Sequence, residues 1–332
     1  MHKNPSSKMN VAVVGGSGYS GLELQRLLNK HPHVASVTAF NSQTTANMKV
    51  SDYQVVFLAT PAEVSMELVP AILKEGSKVI DLSGAFRLSQ GDVLENYKTW
   101  YAMDHKAQNF LLEAHYGLVP WNNAKKEVSL IANPGCYATA VLMGLLPLLS
   151  LGLIDEKSIV IDAKSGATGA GKKASESMLF CEVEGECLPY KIGEHQHLPE
   201  IQQYAQSLGG QEIDPFFATS LLNTRRGIIA GIYANLNPQK NAQDVANAFK
   251  EFYAHYPLVE VAEEITREMV SLKAVVGTAK TRIAYKIVGT KIYLYSSIDN
   301  LLKGAASQAV ENFNLMNQFP VTTGLDHLET MV

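Results

Sequence analysis

Short apolar runs alternate with amphipathic stretches through the first half of the chain. The apolar runs predict strands, and the stretches with leucines at helical spacing predict helices between them. The predicted strands are residues 10–15, 34–40, 53–59, 78–82 and 128–132. Because parallel strands need crossover connections, this alternation implies a doubly wound, Rossmann-type parallel sheet of the α/β class.

Two helices of this half have readable boundaries. The first is expected over residues 19–29. The second is expected to open at Thr60, which can cap a helix, with Pro61 at the first helical position and Glu63 completing a capping box. Gly76 is expected to end this second helix.

The second half has more strands and fewer helices. Its predicted strands are residues 158–163, 228–236, 281–288 and 291–298. A helix over residues 241–255 is expected to bury the side chains Val245, Ala248, Phe249 and Phe252. A last helix is expected over residues 299–317. The pattern predicts an α+β domain, with a mixed sheet and helices on one face.

Residues 128–154 carry no charged side chain, and such a length is enough to cross a bilayer. The Asn-Pro-Gly sequence at residues 133–135 interrupts the run, and Pro147 and Gly152 interrupt it again. We therefore expect a strand, a turn and one short helix that is buried on all sides, and no membrane span.

The composition narrows the classes further. The 332 residues suffice for about two domains. With 28 basic and 32 acidic residues the net charge is −4, so the sequence predicts no broad basic surface that would bind nucleic acid. Three cysteines cannot pair fully, which suits a reducing cytoplasm. Residues 1–8 lack the apolar stretch of a signal peptide and read as a loose leader.

A glycine-rich turn joins the first predicted strand to the first predicted helix. Glycines in this context let the backbone approach a pyrophosphate, and the helix N-terminus attracts its charge. The candidate cofactor-binding residues are Gly15, Gly16, Ser17, Gly18, Tyr19, Ser20 and Gly21. A tight turn without a ligand is the alternative.

The end of the second predicted strand should select between NAD and NADP. An acidic residue there would bind the ribose 2′-hydroxyl of NAD. Residues 40–45 contain no carboxylate, and Ser42 and Thr44 can donate hydrogen bonds to a 2′-phosphate. The sequence therefore favours NADP(H), with Ser42 as a cofactor contact.

Two segments carry candidate catalytic groups. In the first, Cys136 follows the Asn-Pro-Gly turn at the start of a predicted helix, where a thiolate is stabilised and can act as a nucleophile. An inert core cysteine is the alternative. In the second, His195, His197 and Glu200 lie within six residues and can form an acid–base pair for the cysteine. If this segment is extended, the two histidines point the same way; metal ligands or an exposed polar loop are the alternatives.

Three further segments can bind anions. A glycine-rich loop over residues 165–173 can present backbone amides, and we assign its Ser165, Gly166 and Gly169 to the cofactor. Arg87 follows a parallel strand, and ligands of such sheets bind at the carboxyl ends of the strands. Its guanidinium can therefore bind a phosphate. Arg225 and Arg226 precede a strand and can bind a carboxylate. Ordinary surface arginines are the alternative for all three.

Taken together, these segments resemble the N-acetyl-γ-glutamyl-phosphate reductase family, the NADPH-dependent enzymes of arginine biosynthesis in the aspartate-semialdehyde-dehydrogenase-like superfamily. The resemblance runs in order through residues 15–21, 81–88, 133–140, 165–172, 180–182, 195–201 and 299–310. It implies a nucleotide-binding domain of residues 9–134 and 299–332. It also implies a substrate-binding, catalytic and oligomerisation domain of residues 135–298.

The resemblance implies roles for individual residues. Cys136 matches the family's nucleophile. His197 and Glu200 match its acid–base residues, and His195 matches a substrate-binding residue. Asn300, in the Asp-Asn-Leu-x-Lys-Gly-Ala segment, is expected near the nicotinamide.

The implied reaction reduces N-acetyl-γ-glutamyl phosphate to N-acetyl-glutamate 5-semialdehyde and phosphate through a thioester. Related reductases of aspartyl phosphate or carrier-bound aminoadipyl phosphate need the same cysteine and are alternatives. A nucleotide-sensing protein without catalysis would have no reason to keep Cys136 with His197. We expect a cytoplasmic homodimer or homotetramer that binds a small-molecule substrate and holds no metal.

Overall fold

The structure is a computed structural model that describes residues 8–330. Residues 1–7 of the expected leader lie outside the described residues. The chain divides into two compact units. The first comprises the described residues up to Pro134 together with Ala305–His327, and the second comprises Gly135–Gly304 with the described residues from Leu328 onward.

The elements are defined here in chain order. The strands are β1 (Met9–Val14), β2 (Val34–Phe40), β3 (Val55–Leu58), β4 (Lys78–Asp81), β5 (His115–Tyr116), β6 (Leu130–Ala132), β7 (Val160–Gly166), β8 (Cys187–Pro189), β9 (Phe216–Leu222), β10 (Ile228–Asn235), β11 (Val259–Ala262), β12 (Thr281–Val288) and β13 (Lys291–Ile298). The α-helices are α1 (Tyr19–Leu28), α2 (Ala62–Lys74), α3 (Val93–Tyr101), α4 (Cys136–Ser150), α5 (Phe180–Val183), α6 (His197–Gly209), α7 (Ala242–Tyr253), α8 (Arg267–Val270) and α9 (Ser307–Met316).

The first unit is built on a parallel sheet in the order β2-β1-β3-β4-β6-β5. The predicted doubly wound fold is confirmed. The strand order reverses between β1 and β3, because β1 pairs with β2 on one side and with β3 on the other. Ligands of such sheets bind outside the carboxyl ends of the strands at this point. The glycine-rich turn after β1 lies there.

The start of α2 differs from the prediction. Pro61 is its N-cap, the helix begins at Ala62, and no side chain caps it. The predicted capping box is therefore wrong. The hydroxyl of Thr60 instead bonds to that of Ser65, which in turn donates to the buried carboxylate of Asp81. A buried carboxylate needs these donors more than an exposed helix end does.

The second unit is built on a mixed sheet in the order β11-β12-β13-β10-β7-β9-β8. The β11–β12 and β7–β9 pairs are parallel, and the others are antiparallel. Helix α4 packs on β10, β12 and β13, and α6 and α7 pack on α4. The predicted mixed sheet with helices is confirmed.

The long apolar segment folds as a strand, a turn and a helix, as predicted. Helix α4 is buried from Tyr137 to Leu149. Pro147 lies inside this helix, so the prediction that it interrupts the segment is wrong. The reason is that a proline is tolerated when its helix is held on all sides by tertiary packing. Among residues 8–330, no helix is long and apolar enough to cross a membrane.

Two helices depart from their predicted form. In α7 the last buried aromatic is Tyr253, and Phe252 is half-buried. The last helix is not continuous from residue 299: a π-helical turn (Leu302–Ala306) precedes α9. Residues 299–304 belong to the second unit, six residues beyond the expected boundary. Buried Asp299 ties this turn to the second unit, because its carboxylate accepts from Arg226 and from the Gly277 N–H.

Candidate active site

Cys136 is the first residue of α4 and is half-buried. Gly135 precedes it as the N-cap in an extended conformation. Helix α4 contains no charged side chain, and the sulfur lies at its N-terminal end. The positive end of a helix dipole stabilises a thiolate. Cys136 is thus accessible at a helix N-terminus, and its role as nucleophile stays a prediction.

Glu200 holds the turn in front of the cysteine. Its Oε1 accepts a hydrogen bond of 2.7 Å from the backbone N–H of Gly135, and the side chain is fully buried. Glu200 lies on the first turn of α6, three residues after His197. This segment is therefore helical, and the assumption that it is extended is wrong. The helical signals are Pro199 in the first turn and Gly210 after the last.

The imidazole of His197 lies against the same turn. A Cβ atom at position 135 would lie 2.4 Å from Nε2 of His197, so a side chain there would collide with the ring. The Gly135 of the Asn-Pro-Gly-Cys motif thus allows the close approach of the ring to the residue before the nucleophile. His197 is 7% exposed, which excludes the exposed polar loop considered from the sequence.

His195 is enclosed by aromatic rings. Its ring meets those of Tyr137, Tyr190 and Phe217 edge to face, at centroid distances of 5.1, 5.7 and 5.7 Å. Burial, and secondarily the positive charge of Lys191, lowers the pKa of His195 to about 4. The ring is therefore neutral at pH 7.

One hydrogen bond fixes the tautomer of this neutral ring. The backbone N–H of His197 donates to Nδ1 of His195 over 3.2 Å. A nitrogen that accepts carries no proton, so the proton of His195 lies on Nε2. His195 is thus built as a neutral N–H donor.

The π-helical turn also contacts the nucleophile. A Cβ atom at position 304 would lie 2.7 Å from Cβ of Cys136 and 3.2 Å from its Cα. Gly304 therefore packs directly on the cysteine. Turns of this type occur frequently at functional sites.

Arg87 lies in the first unit and is buried. Its Nε donates to the carbonyl of Asn133 over 2.9 Å, and its Nη2 donates to the carbonyl of Leu82 over 2.8 Å. These bonds fix the strand end from which the Asn-Pro-Gly turn departs. The phosphate-binding role of Arg87 stays a prediction.

The two neighbouring arginines have different environments. The guanidinium of Arg226 pairs with the fully buried carboxylate of Asp299, with Nη2 3.1 Å from both carboxylate oxygens. This pair joins the segment before β10 to the turn after β13, and the substrate-binding roles of Arg225 and Arg226 stay predictions. Arg225 is exposed, and its backbone carbonyl accepts from the hydroxyl of Thr168.

The glycine-rich loop after β7 meets the turn after β13 within the second unit. The side chain of Asn300 accepts from the N–H of Gly227 over 2.8 Å and donates to the hydroxyl of Thr168 over 3.0 Å. The N–H of Gly166 bonds to the Gly227 carbonyl, and a Cβ at position 169 would lie 3.1 Å from Oγ of Ser165. The structure thus brings together Ser165, Gly166, Gly169 and Asn300, and their contact with the cofactor stays a prediction.

The first unit fits the pyrophosphate of a dinucleotide. Gly15 has a φ of +83°, and the N–H groups of Gly15 and Gly16 both bond to the carbonyl of Phe40. Helix α1 then begins at Tyr19 with Gly18 as its N-cap, and its first turn carries no acidic side chain. Such a helix end attracts an anion. The turn and the helix start therefore fit a bound pyrophosphate, and the contacts of the individual residues stay predictions.

The turn after β2 is also favourable to a 2′-phosphate. Ser42 is exposed there. The Thr44 hydroxyl, by contrast, bonds to the side chain and N–H of Asn41. Ser42 is thus the better placed of the two hydroxyls.

In the described part of the chain, no three side chains of His, Cys, Asp or Glu group as a metal site.

Tyr137, Tyr190 and Phe217 were not predicted as site residues. Tyr137 directly follows Cys136, and this position was an available signal. Phe217 lies on β9, and only the pairing of β9 with β7 brings it toward His195. No local pattern in the sequence indicates that proximity.

Two family models match the chain. "Semialdehyde dehydrogenase, NAD binding domain" matches residues 10–54 and 43–129. "Semialdehyde dehydrogenase, dimerisation domain" matches residues 136–300. The two matches follow the division of the chain into two units.

Curated relatives match over nearly the full length. The N-acetyl-gamma-glutamyl-phosphate reductase of Geobacillus kaustophilus (strain HTA426) is 41% identical, over 96% of this chain and 99% of that protein. The proteins of the same name from Geobacillus stearothermophilus and Bacillus cereus (strain AH187) are 40% and 37% identical, each over 96% of this chain and 99% of the relative.

Solved structures share the fold. Aspartate semialdehyde dehydrogenase II from Vibrio cholerae, complexed with ASA, has a TM-score of 0.71 at 16% identity, covering 94% of this chain and 99% of its own. A probable aspartate-semialdehyde dehydrogenase from Pseudomonas aeruginosa has a TM-score of 0.67 at 17% identity, with the same coverage. On the identity to its curated relatives, the chain belongs to the N-acetyl-γ-glutamyl-phosphate reductase family, within the semialdehyde dehydrogenases.

Proposed function

We propose that this chain catalyses the NADPH-dependent reduction of N-acetyl-γ-glutamyl phosphate to N-acetyl-glutamate 5-semialdehyde and phosphate, a step of arginine biosynthesis. The observation that carries the proposal is the half-buried Cys136 at the start of α4, next to a turn that contacts both His197 and Glu200. The family membership supplies the substrate.

The first half of the reaction forms a thioester. The thiolate of Cys136 attacks the acyl carbon, and the tetrahedral oxyanion collapses with departure of phosphate. The neutral His195 is suited to donate its Nε2–H to an oxygen of the bound substrate in the ground state. Departure of phosphate toward Arg87 stays part of the proposal.

The second half reduces the thioester. NADPH, when bound, supplies the hydride for the thioester carbon. His197 protonates the resulting oxyanion to give a thiohemiacetal on Cys136. His197 then removes this proton as the C–S bond breaks, which releases the aldehyde and restores the thiolate.

The low pKa of His195 supports the assignment of the proton to His197. With a pKa of about 4, His195 is not protonated at pH 7 and cannot deliver a proton as an imidazolium. Glu200 acts through position, because its carboxylate fixes Gly135 and thereby Cys136. We propose that Glu200 acts together with His197, which lies on the same first turn of α6.

A spectrophotometric assay tests the function in the reverse direction. The purified chain should reduce NADP in the presence of phosphate and N-acetyl-glutamate semialdehyde. Aspartate semialdehyde should give far less activity. Phosphate-dependent activity with aspartate semialdehyde alone would contradict the proposal and favour the related reductase.

We further propose that NADP is preferred over NAD. Residues 40–45 carry no carboxylate that would repel a 2′-phosphate, and Ser42 is exposed at the turn after β2. We expect kcat/KM for NADP to exceed that for NAD. Equal or better values with NAD would show that this turn does not select the cofactor.

We propose a cytoplasmic location, because the nucleophile Cys136 must stay reduced.

We also propose a homodimer through the open face of the mixed sheet. The strand register puts five side chains in one row on the face opposite α4: Lys286, Tyr293, Tyr233, Val160 and Phe216. Tyr293, Val160 and Phe216 are 37%, 38% and 79% exposed. Tyrosines and other apolar side chains are typical of interface cores. The match of this unit to a dimerisation domain supports a second copy as the occupant.

A further inference from the structure

Tyr190 directly follows the edge strand β8 and bonds to β9, the next strand of the mixed sheet. Its N–H donates to the carbonyl of Thr219 over 3.0 Å, and its carbonyl accepts from the hydroxyl of Thr219 over 2.6 Å. Thr219 is fully buried on β9. The backbone of Tyr190 is therefore fixed at both of its polar groups.

The side chain of Tyr190 reaches two residues of the candidate active site. Its hydroxyl donates to the hydroxyl of Tyr137 over 2.9 Å, and Tyr137 directly follows Cys136. Its ring meets that of His195 at a centroid distance of 5.7 Å and an angle of 66°. One side chain thus contacts both the helix that carries the nucleophile and the neutral histidine.

The hydroxyls of Tyr190 and Tyr137 are hydrogen-bonded to each other. Burial raises the pKa of Tyr190 to about 12 and raises that of Tyr137 further, so both stay protonated at neutral pH. The hydroxyl of Tyr190 donates to that of Tyr137 over 2.9 Å, and the hydroxyl of Tyr137 lies 3.5 Å from the carbonyl oxygen of Ser220.

The ring of Tyr190 completes the enclosure of His195. The other rings in that enclosure are those of Tyr137, Phe217 and His197, and Lys191 is the charged group that acts on His195 from its own segment. Removal of one ring would admit water to His195. The pKa of His195 would then rise, because water would hydrate the charged imidazolium.

We propose that Tyr190 is a positioning residue of this enzyme: its ring holds His195 as the neutral Nε2–H donor, and its hydroxyl orients Tyr137 beside Cys136. The proposal deepens the proposed function and rests on it. Protonation of His195 would place a proton on Nδ1, where it would oppose the N–H of His197. Loss of the enclosure therefore disturbs the histidine pair and weakens substrate binding.

The test is a pH titration of His195 by NMR in the unliganded protein, with the His195→Asn variant to assign its signal. In Tyr190→Ala the titration midpoint should rise from about 4 by at least about one pH unit. In Tyr190→Phe it should stay near 4, because the ring is retained. Phe180→Ala, which removes an exposed ring from the same unit, should also leave it unchanged.

Kinetics give the second readout. Tyr190→Ala should raise KM for the semialdehyde about tenfold with a smaller change in kcat, and move the acid limb of kcat/KM to higher pH. Tyr190→Phe should recover most of the KM. If Tyr190→Ala does not fold, Tyr190→Gln admits water and replaces it.

An unchanged His195 midpoint in a folded Ala or Gln variant overturns the inference, and so does a shifted midpoint in Tyr190→Phe. The NMR titration needs no turnover. If the midpoint shifts as expected and the wild-type enzyme does not act on N-acetyl-glutamate semialdehyde, the proposed function fails and the positioning role of Tyr190 stands.

Discussion

The two histidines of one short segment have different chemistry, although they are only two residues apart. His195 is enclosed by aromatic rings and accepts at Nδ1, so it is a neutral donor. His197 begins α6 and lies against Gly135, the residue before the nucleophile. The difference comes from what each ring contacts. The sequence could predict both histidines as site residues, but it could not separate their roles.

Substitution of each histidine by asparagine should show this difference. His197→Asn should lower kcat by about 10²–10⁴-fold with a smaller change in KM, because it removes the general acid. His195→Asn should mainly raise KM, because it removes a donor that acts in the ground state. Steady-state measurement of both parameters for both variants checks the assignment. If His195→Asn lowers kcat and His197→Asn raises KM, the two roles must be exchanged.

At the scale of elements, strands were predicted better than helices near the site. The predicted ranges 34–40, 281–288 and 291–298 coincide with β2, β12 and β13, because regular apolar patterning and turn residues bound these strands. Helix α6 was missed, although Pro199 and Gly210 mark its two ends. Its first turn carries the buried polar groups of the site, and these side chains obscured the helical pattern.

The π-helical turn before α9 could not be predicted from the sequence. The apolar spacing of residues 302–313 fits an ordinary helix. The extra residue in the turn arises where Gly304 packs on Cys136 and buried Asp299 accepts the N–H groups of Leu301 and Leu302. These contacts are tertiary, and the local pattern carries no sign of them.

Gly304→Ala should therefore impair catalysis. The new Cβ would lie 2.7 Å from Cβ of Cys136, so either the turn or the nucleophile must move. A displacement of about 1 Å at a reacting group can cost about 10²-fold in rate. We expect kcat/KM to fall by about that factor while NADPH binding is retained. A folded variant, as judged by thermal unfolding, with wild-type kcat/KM would show that the contact does not position Cys136.

At the scale of the whole molecule, the two sheets have different structural roles. The parallel sheet presents the glycine turn at its strand-order reversal, and the mixed sheet supports α4 on one face. Alternation of strands and helices was enough to predict the first sheet. The strand order of the second sheet could not be derived, because its pairs join segments far apart in the chain, such as β7 with β10.

The proposed dimer face can be tested with one added charge. Val160→Glu puts a carboxylate in the row of exposed side chains on the mixed sheet, where association would bury it unpaired in both copies. We expect the dimer to weaken by at least about 100-fold in Kd. Size-exclusion chromatography with light scattering measures this. Leu112→Glu, at a position that is 87% exposed in the first unit, is the matched control and should remain dimeric. A Val160→Glu variant that remains fully dimeric would exclude this face.

The central claim is that Cys136 is the nucleophile of a covalent reduction. The most direct measurement is the phosphate-dependent reduction of NADP by wild-type and Cys136→Ser proteins with N-acetyl-glutamate semialdehyde, together with NADPH binding by each protein. Serine keeps the shape of the side chain but does not form an anion at neutral pH. The account predicts that the variant binds NADPH as the wild type does and has no measurable turnover. Comparable turnover in the variant would contradict the covalent mechanism.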